Sequence, residues 1–151
     1  MLGGYEAKME TDRFGKTVTH PFAEFVHGLR QGEIAFQLRA LLPAGKATVE
    51  CPISTSEGIK VADVVWLSRR RLKQVGGRAA LSGAPEICVE VLSGSNTREE
   101  MEERRRLYFE AGAQEVWLCG RNGALRFFKA TAPTIAAKAS KLCPPMPKRL
   151  K

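Results

Sequence analysis

The chain has 151 residues, 44% of them hydrophobic, and a formal net charge of +8. That length suits one domain with one core, and the composition is that of a globular chain rather than a fibrous or disordered one. No apolar run approaches the roughly 20 residues that cross a bilayer, and no basic-then-apolar signal segment opens the sequence, so the expectations are no membrane partner and a cytoplasmic location.

Residues 1–20 have no sustained period and read as loop or a weak edge hairpin. Residues 22–42 carry a helical pattern, with Gly28 and Gly32 as candidate break points. Its better half places Ile34, Leu38 and Leu41-Leu42 at helical spacing, and Pro43 and Gly45 end it. Residues 47–53 look like a strand, and Pro52 argues for an edge or a strand end. Ser54 to Gly58 make a turn. A second strand, Val61-Ala62-Asp63-Val64-Val65-Trp66-Leu67, follows. A loop is expected over about 68–84.

Next comes Ile87-Cys88-Val89-Glu90-Val91-Leu92, closed by Ser93-Gly94-Ser95-Asn96. Thr97 with Glu100 makes a capping box for a helix running to about Ala111, with Gly112 as its C-terminal stop. Residues 114–119 form a strand, Asn122-Gly123 a hairpin turn, and 124–129 the last strand. The order suits an α/β fold, a mixed sheet with helices against it. Five of the positive charges fall in residues 137–151, where Pro144, Pro145 and Pro147 suggest a flexible tail beyond a domain of residues 1–136. Cys51, Cys88, Cys119 and Cys143 form no CxxC pair and read as buried thiols. A zinc site is not expected, because His20 and His27 lie apart from them.

Two acids interrupt the two most apolar strands, Asp63 and Glu90. A carboxylate there loses its hydration and gains nothing from packing, so it persists when paired or bound to a metal. If the strands pair with those faces together, the two converge. A hard divalent cation wants such oxygen ligands, and the backbone carbonyl of Val91 offers another. In the helix after Glu90, Met101, Arg104, Tyr108 and Ala111 share one face, so Arg104 points at the sheet and could deliver a cation to the carboxylates. The competing reading of Arg104 is an intrahelical pair with Glu100. Glu86 is an auxiliary acid or the exposed start of its strand, and Glu33 on the first helix is a second auxiliary candidate. Arg69, Arg70, Arg71 and Lys73 follow the Asp63 strand and could meet DNA phosphates, or form a solvated loop.

The segment from Pro85 to Leu118, with Pro85-Glu86-Ile87-Cys88-Val89-Glu90-Val91-Leu92-Ser93-Gly94-Ser95, Leu107-Tyr108, Ala111-Gly112 and Glu115-Val116-Trp117-Leu118, resembles the Uma-type putative restriction endonuclease family of the PD-(D/E)XK superfamily. Val61-Ala62-Asp63-Val64-Val65 resembles the strand that carries its first metal-binding aspartate. The resemblance implies a restriction-endonuclease-like core and magnesium- or manganese-dependent DNA cleavage, with Asp63 and Glu90 as the acids. Leu92 stands at the superfamily's usual lysine position. The family's helix lysine, four residues before the tyrosine, corresponds to Arg104, and Gln31 falls near the place of the family's histidine. Arginine barely deprotonates and is a poor water-activating base. Three readings follow: a metal-dependent endonuclease acting on DNA, a catalytically degenerate nucleic-acid-binding or assembly module on the same fold, and a structural protein whose carboxylates form internal ion pairs. A homodimer would serve cutting of both strands.

Overall fold

A computed structural model describes residues 7–21 and 24–151. Among the described residues, eight strands and three helices follow one another: β1 (Ala7–Thr11), β2 (Thr17–Pro21), α1 (Phe25–Leu41), β3 (Lys46–Thr55), β4 (Gly58–Leu67), α2 (Arg69–Val75), β5 (Ile87–Val91), α3 (Arg98–Glu110), β6 (Glu115–Cys119), β7 (Leu125–Lys129) and β8 (Ala132–Ala137). β3 to β8 form one six-stranded sheet in sequence order, and β1 with β2 makes a separate hairpin. Among the described strand pairs β5–β6 is the parallel one, with α3 as its crossover. The fold is thus a mixed α/β sheet flanked by helices.

The two sheet faces build two cores. On one, Ile34 and Leu38 of α1 pack on Val64, Val89, Trp117 and Phe127. On the other, Met101 and Tyr108 of α3 pack on Val65, Cys88, Val116 and Phe128. Every residue of β5 is buried, as the unbroken apolar runs indicated. The buried stripe of α1 is His27, Gln31, Ile34 and Leu38, at steps of four, three and four.

Several expectations need correction. Neither Gly28 nor Gly32 breaks α1, because tertiary packing of the stripe outweighs a helix penalty of about 1 kcal/mol per glycine. The segment after β4 is not all loop: the Ser68 hydroxyl accepts from Arg71 N and caps α2. The Ser54–Gly58 turn is shorter than expected, since β3 runs to Thr55 and β4 starts at Gly58. β8 adds a strand after the expected last one. The weak N-terminal hairpin is real over β1 and β2, while residues 1–6 lie outside the described residues.

The tail is folded rather than flexible. Glu115 is 1% exposed, and its carboxylate accepts from Ser140 Oγ (2.6 Å), Lys141 N (3.0 Å) and Leu142 N (2.6 Å), besides Trp117 Nε1. That anchor turns the chain back so that Cys143, Met146 and Leu150 join the α1-side core. The apolar residues between the prolines, not the charges, decide its fate. All four cysteines are buried and free, as expected.

Candidate active site

β4 and β5 pair as Trp66↔Ile87, Val65↔Cys88 and Val64↔Val89. The next rung would hold Asp63 opposite Glu90, and there the ladder opens. Asp63 Oδ2 accepts from Val91 N at 2.7 Å, so its carboxylate takes the role of a strand carbonyl. Ala62 packs in the α3-side core and Val64 in the α1-side core, although alternation would give them one face. The strand therefore switches faces at Asp63. On β3 the same level is Glu50, whose φ of +51° is the left-handed region that a non-glycine residue rarely adopts. The β3–β4 hairpin is bent where the acids lie, which is a reason strict alternation could not place Asp63.

Asp63 is 3% exposed and Glu90 2%. His27 Nε2 lies 3.2 Å from Asp63 Oδ2. Gln31 Nε2 donates both to the Asp63 carbonyl (2.9 Å) and to Glu50 Oε1 (2.8 Å). From the other face, Tyr108 donates its hydroxyl to Glu90 Oε1 at 2.5 Å. Burial first, and then the Glu90 charge, push the Tyr108 pKa well up, so it remains a donor.

Arg104 points at the sheet, as its helix face indicated. It does not pair with Glu100, which instead completes the cap with Thr97. Its guanidinium forks onto Glu10 of β1, at 2.8 and 2.6 Å, and NH1 lies 3.7 Å from Glu90 Oε1. Burial opposes its charge, but the carboxylates of Glu90 and Glu10 outweigh that and raise its pKa. Glu10 also accepts from Val61 N at 2.7 Å. The N-terminal hairpin thus locks α3 to β4 through one buried carboxylate.

Other expected residues lie elsewhere. Glu86 is buried, not exposed, and its Oε1 accepts from Ser68 N, which fixes the start of α2. Glu33 is exposed and accepts from Gln37 one turn on, away from the His27–Gln31 stripe. Arg71 is half-buried and donates through NH1 to the carbonyls of Ala84 and Gly112, joining two loops. Arg69, Arg70 and Lys73 are exposed on α2, at the Trp66–Ile87 end of the strands and beyond the acid rung. Glu10, His27 and Glu50 were not expected at the site. His27 and Gln31 do carry a signal, as polar residues continuing the apolar stripe of α1. Among the described residues no three His, Cys, Asp or Glu side chains are grouped to hold a metal, and no helix is long and apolar enough to cross a membrane.

Comparison with known proteins agrees with this architecture. The family model described as "Putative restriction endonuclease" (Uma2) matches residues 6–134. A crystal structure of a putative nuclease belonging to DUF820 from Anabaena variabilis superposes with a TM-score of 0.69 at 15% identity, covering 85% of this chain and 74% of that one. No curated protein matches the chain. The rung of two acids flanked by α1 and α3 therefore sits in a restriction-endonuclease-like sheet, and the chain belongs to the Uma2 putative restriction endonuclease family.

Proposed function

We propose that the protein is a metal-dependent DNA endonuclease whose ion is held by Asp63 and Glu90. What supports this reading is that both acids are buried at adjacent positions of neighbouring strands, one step past the Val64–Val89 pair, with Asp63 held by His27 of α1 and Glu90 by Tyr108 of α3. The donor set fits a hard divalent cation such as Mg2+ or Mn2+. Such ions bind through one or two carboxylates completed by water and substrate oxygens, and the Val91 carbonyl would be a further ligand. When bound, the ion would supply a more acidic water and polarise a phosphoryl oxygen.

The chain's own residues act by holding the acids. Val91 N fixes Asp63 Oδ2, and His27 approaches the same oxygen from α1. Tyr108 fixes Glu90 Oε1. The sequence reading gives Arg104 as a cation delivered to the carboxylates. With two guanidinium nitrogens on Glu10, it serves better as a positioning residue that places positive charge beside Glu90.

Nicking of supercoiled plasmid with Mg2+ or Mn2+ tests the reading. Asp63→Asn and Glu90→Gln keep the shape of each side chain and should each abolish nicking, as should chelation of the metal. Unchanged nicking in either variant refutes the assignment. The fork of Arg104 onto Glu10 favours one second reading, a nucleic-acid-binding module with a degenerate centre. A gain of nicking in Arg104→Lys would support that alternative.

A further inference from the structure

Phe128 on β7 is fully buried, yet two guanidiniums reach its ring. Arg105 Cζ lies 4.3 Å from the ring centroid and Arg126 Cζ 5.1 Å. Arg105 comes from α3. Arg126 comes from β7, two residues before Phe128 and on the same sheet face. Like charges gathered at one ring repel each other, while each is attracted to the face of the ring.

Opposing carboxylates are scarce there. Among the described residues neither Arg105 nor Arg126 forms a salt bridge. The nearby acid, Glu102, accepts from Arg98 Nε at 3.1 Å, and the Arg98 side chain is 84% exposed. Burial, followed by the charges of Arg126 and Arg98 acting against Glu102, lowers the Arg105 pKa. Arg105 thus has two guanidiniums, Arg126 and Arg98, and one carboxylate, Glu102, acting on its charge.

Their place in the sheet gives the cluster a direction. Glu90 pairs with Leu118, and Leu118 pairs with Arg126. Arg126 is therefore on the Glu90 rung, two strands away, which is about 10 Å at sheet spacing. A guanidinium laid against an aromatic ring keeps its N–H edges outward in the fork that matches phosphate oxygens.

We infer that Arg105, Arg126 and Arg98 form a phosphate-binding platform for the DNA backbone as it leaves the Asp63–Glu90 rung. The direction of that path rests on the nuclease reading, whereas the platform itself is a property of the α3–β7 surface. This surface differs from α2, where Arg71 NH1 is bonded to loop carbonyls and Arg69, Arg70 and Lys73 follow the Leu67 end of β4.

The test is binding of a fluorescein-labelled DNA duplex, read by anisotropy across a sodium chloride series with chelator present. Each neutralised phosphate contact contributes about 0.9 to the slope of log affinity against log salt. Arg105→Gln and Arg126→Gln should each lower the slope by about that amount and weaken binding several-fold. Arg105→Lys and Arg126→Lys should keep the slope, and the exposed Arg98→Gln gives a third reading should a buried-side variant fail to fold. Arg69→Gln and Arg70→Gln should leave the slope unchanged. Wild-type slope in Arg105→Gln, Arg126→Gln and Arg98→Gln, loss of slope in the α2 variants instead, or no duplex binding by the wild type overturns the platform. Loss of plasmid nicking in these variants is not the readout, so failure of the platform and failure of the nuclease reading are told apart.

Discussion

Removing the Glu10 carboxylate should unlock the site without touching either proposed metal-binding acid. Glu10 is 3% exposed and accepts from both Arg104 guanidinium nitrogens and from Val61 N. In Glu10→Ala, the Arg104 guanidinium stays buried while its fork is gone. Breaking a buried pair by deleting one partner costs about 3–5 kcal/mol. The lower end applies, because Glu90 remains 3.7 Å from Arg104 NH1, although Val61 N must find another acceptor. A loss near 3 kcal/mol is a large part of the about 5–15 kcal/mol that stabilises a domain. Urea unfolding followed by the fluorescence of buried Trp117 would read it. With a slope of about 2 kcal/mol per M, the midpoint should fall by roughly 1.5 M. Glu10→Gln should cost less, since its amide oxygen can still accept from Val61 N. A midpoint within about 0.3 M of wild type at unchanged slope would show that the fork contributes little, and the linkage of the N-terminal hairpin to α3 would have to be abandoned.

Three further outcomes follow from the burial of the tail and the thiols. Glu115→Ala removes the acceptor for Ser140, Lys141 and Leu142, so trypsin should cut quickly at Lys138 or Lys141 in the variant and slowly in the wild type. Equal rates would mean that the tail is not anchored there. Burial raises the Cys51 and Cys119 pKa values from 9.0 to about 11, and iodoacetamide at about pH 8 should leave native protein unlabelled while modifying all four thiols after unfolding. The sign of the linkage is fixed: between pH 9.0 and about 11 the unfolded chain gives up thiol protons that the folded chain keeps. These two groups therefore favour folding fully below pH 9.0, and that contribution fades as pH rises through the window. A urea midpoint that rises across it would contradict the assignment.

Much of this architecture was legible because the strongest signals are local. The runs around Asp63 and Glu90 gave two central strands, and the Thr97–Glu100 box with Gly112 bounded α3 closely. Arg104 was placed toward the sheet by helical spacing alone. What the sequence hid depends on contacts distant along the chain. Glu10 sits in a short hairpin with no periodicity, and its importance arises from a partner on α3. Glu50 looks like an ordinary outward residue of an edge strand until its left-handed backbone is seen. The tail was misjudged because proline and lysine dominate its composition, whereas its fate depends on Glu115, 25 residues before Ser140. α2 was missed because seven residues are too few for a clear period.

The shared rung of Asp63 and Glu90 is tested most directly by titrating the protein with Mn2+ and counting bound ions by electron paramagnetic resonance. The wild type should take up Mn2+ at one site, and both Asp63→Asn and Glu90→Gln should lose it while remaining folded. Equal uptake by wild type and both variants, or none by the wild type, would contradict the proposal that these two carboxylates hold an ion.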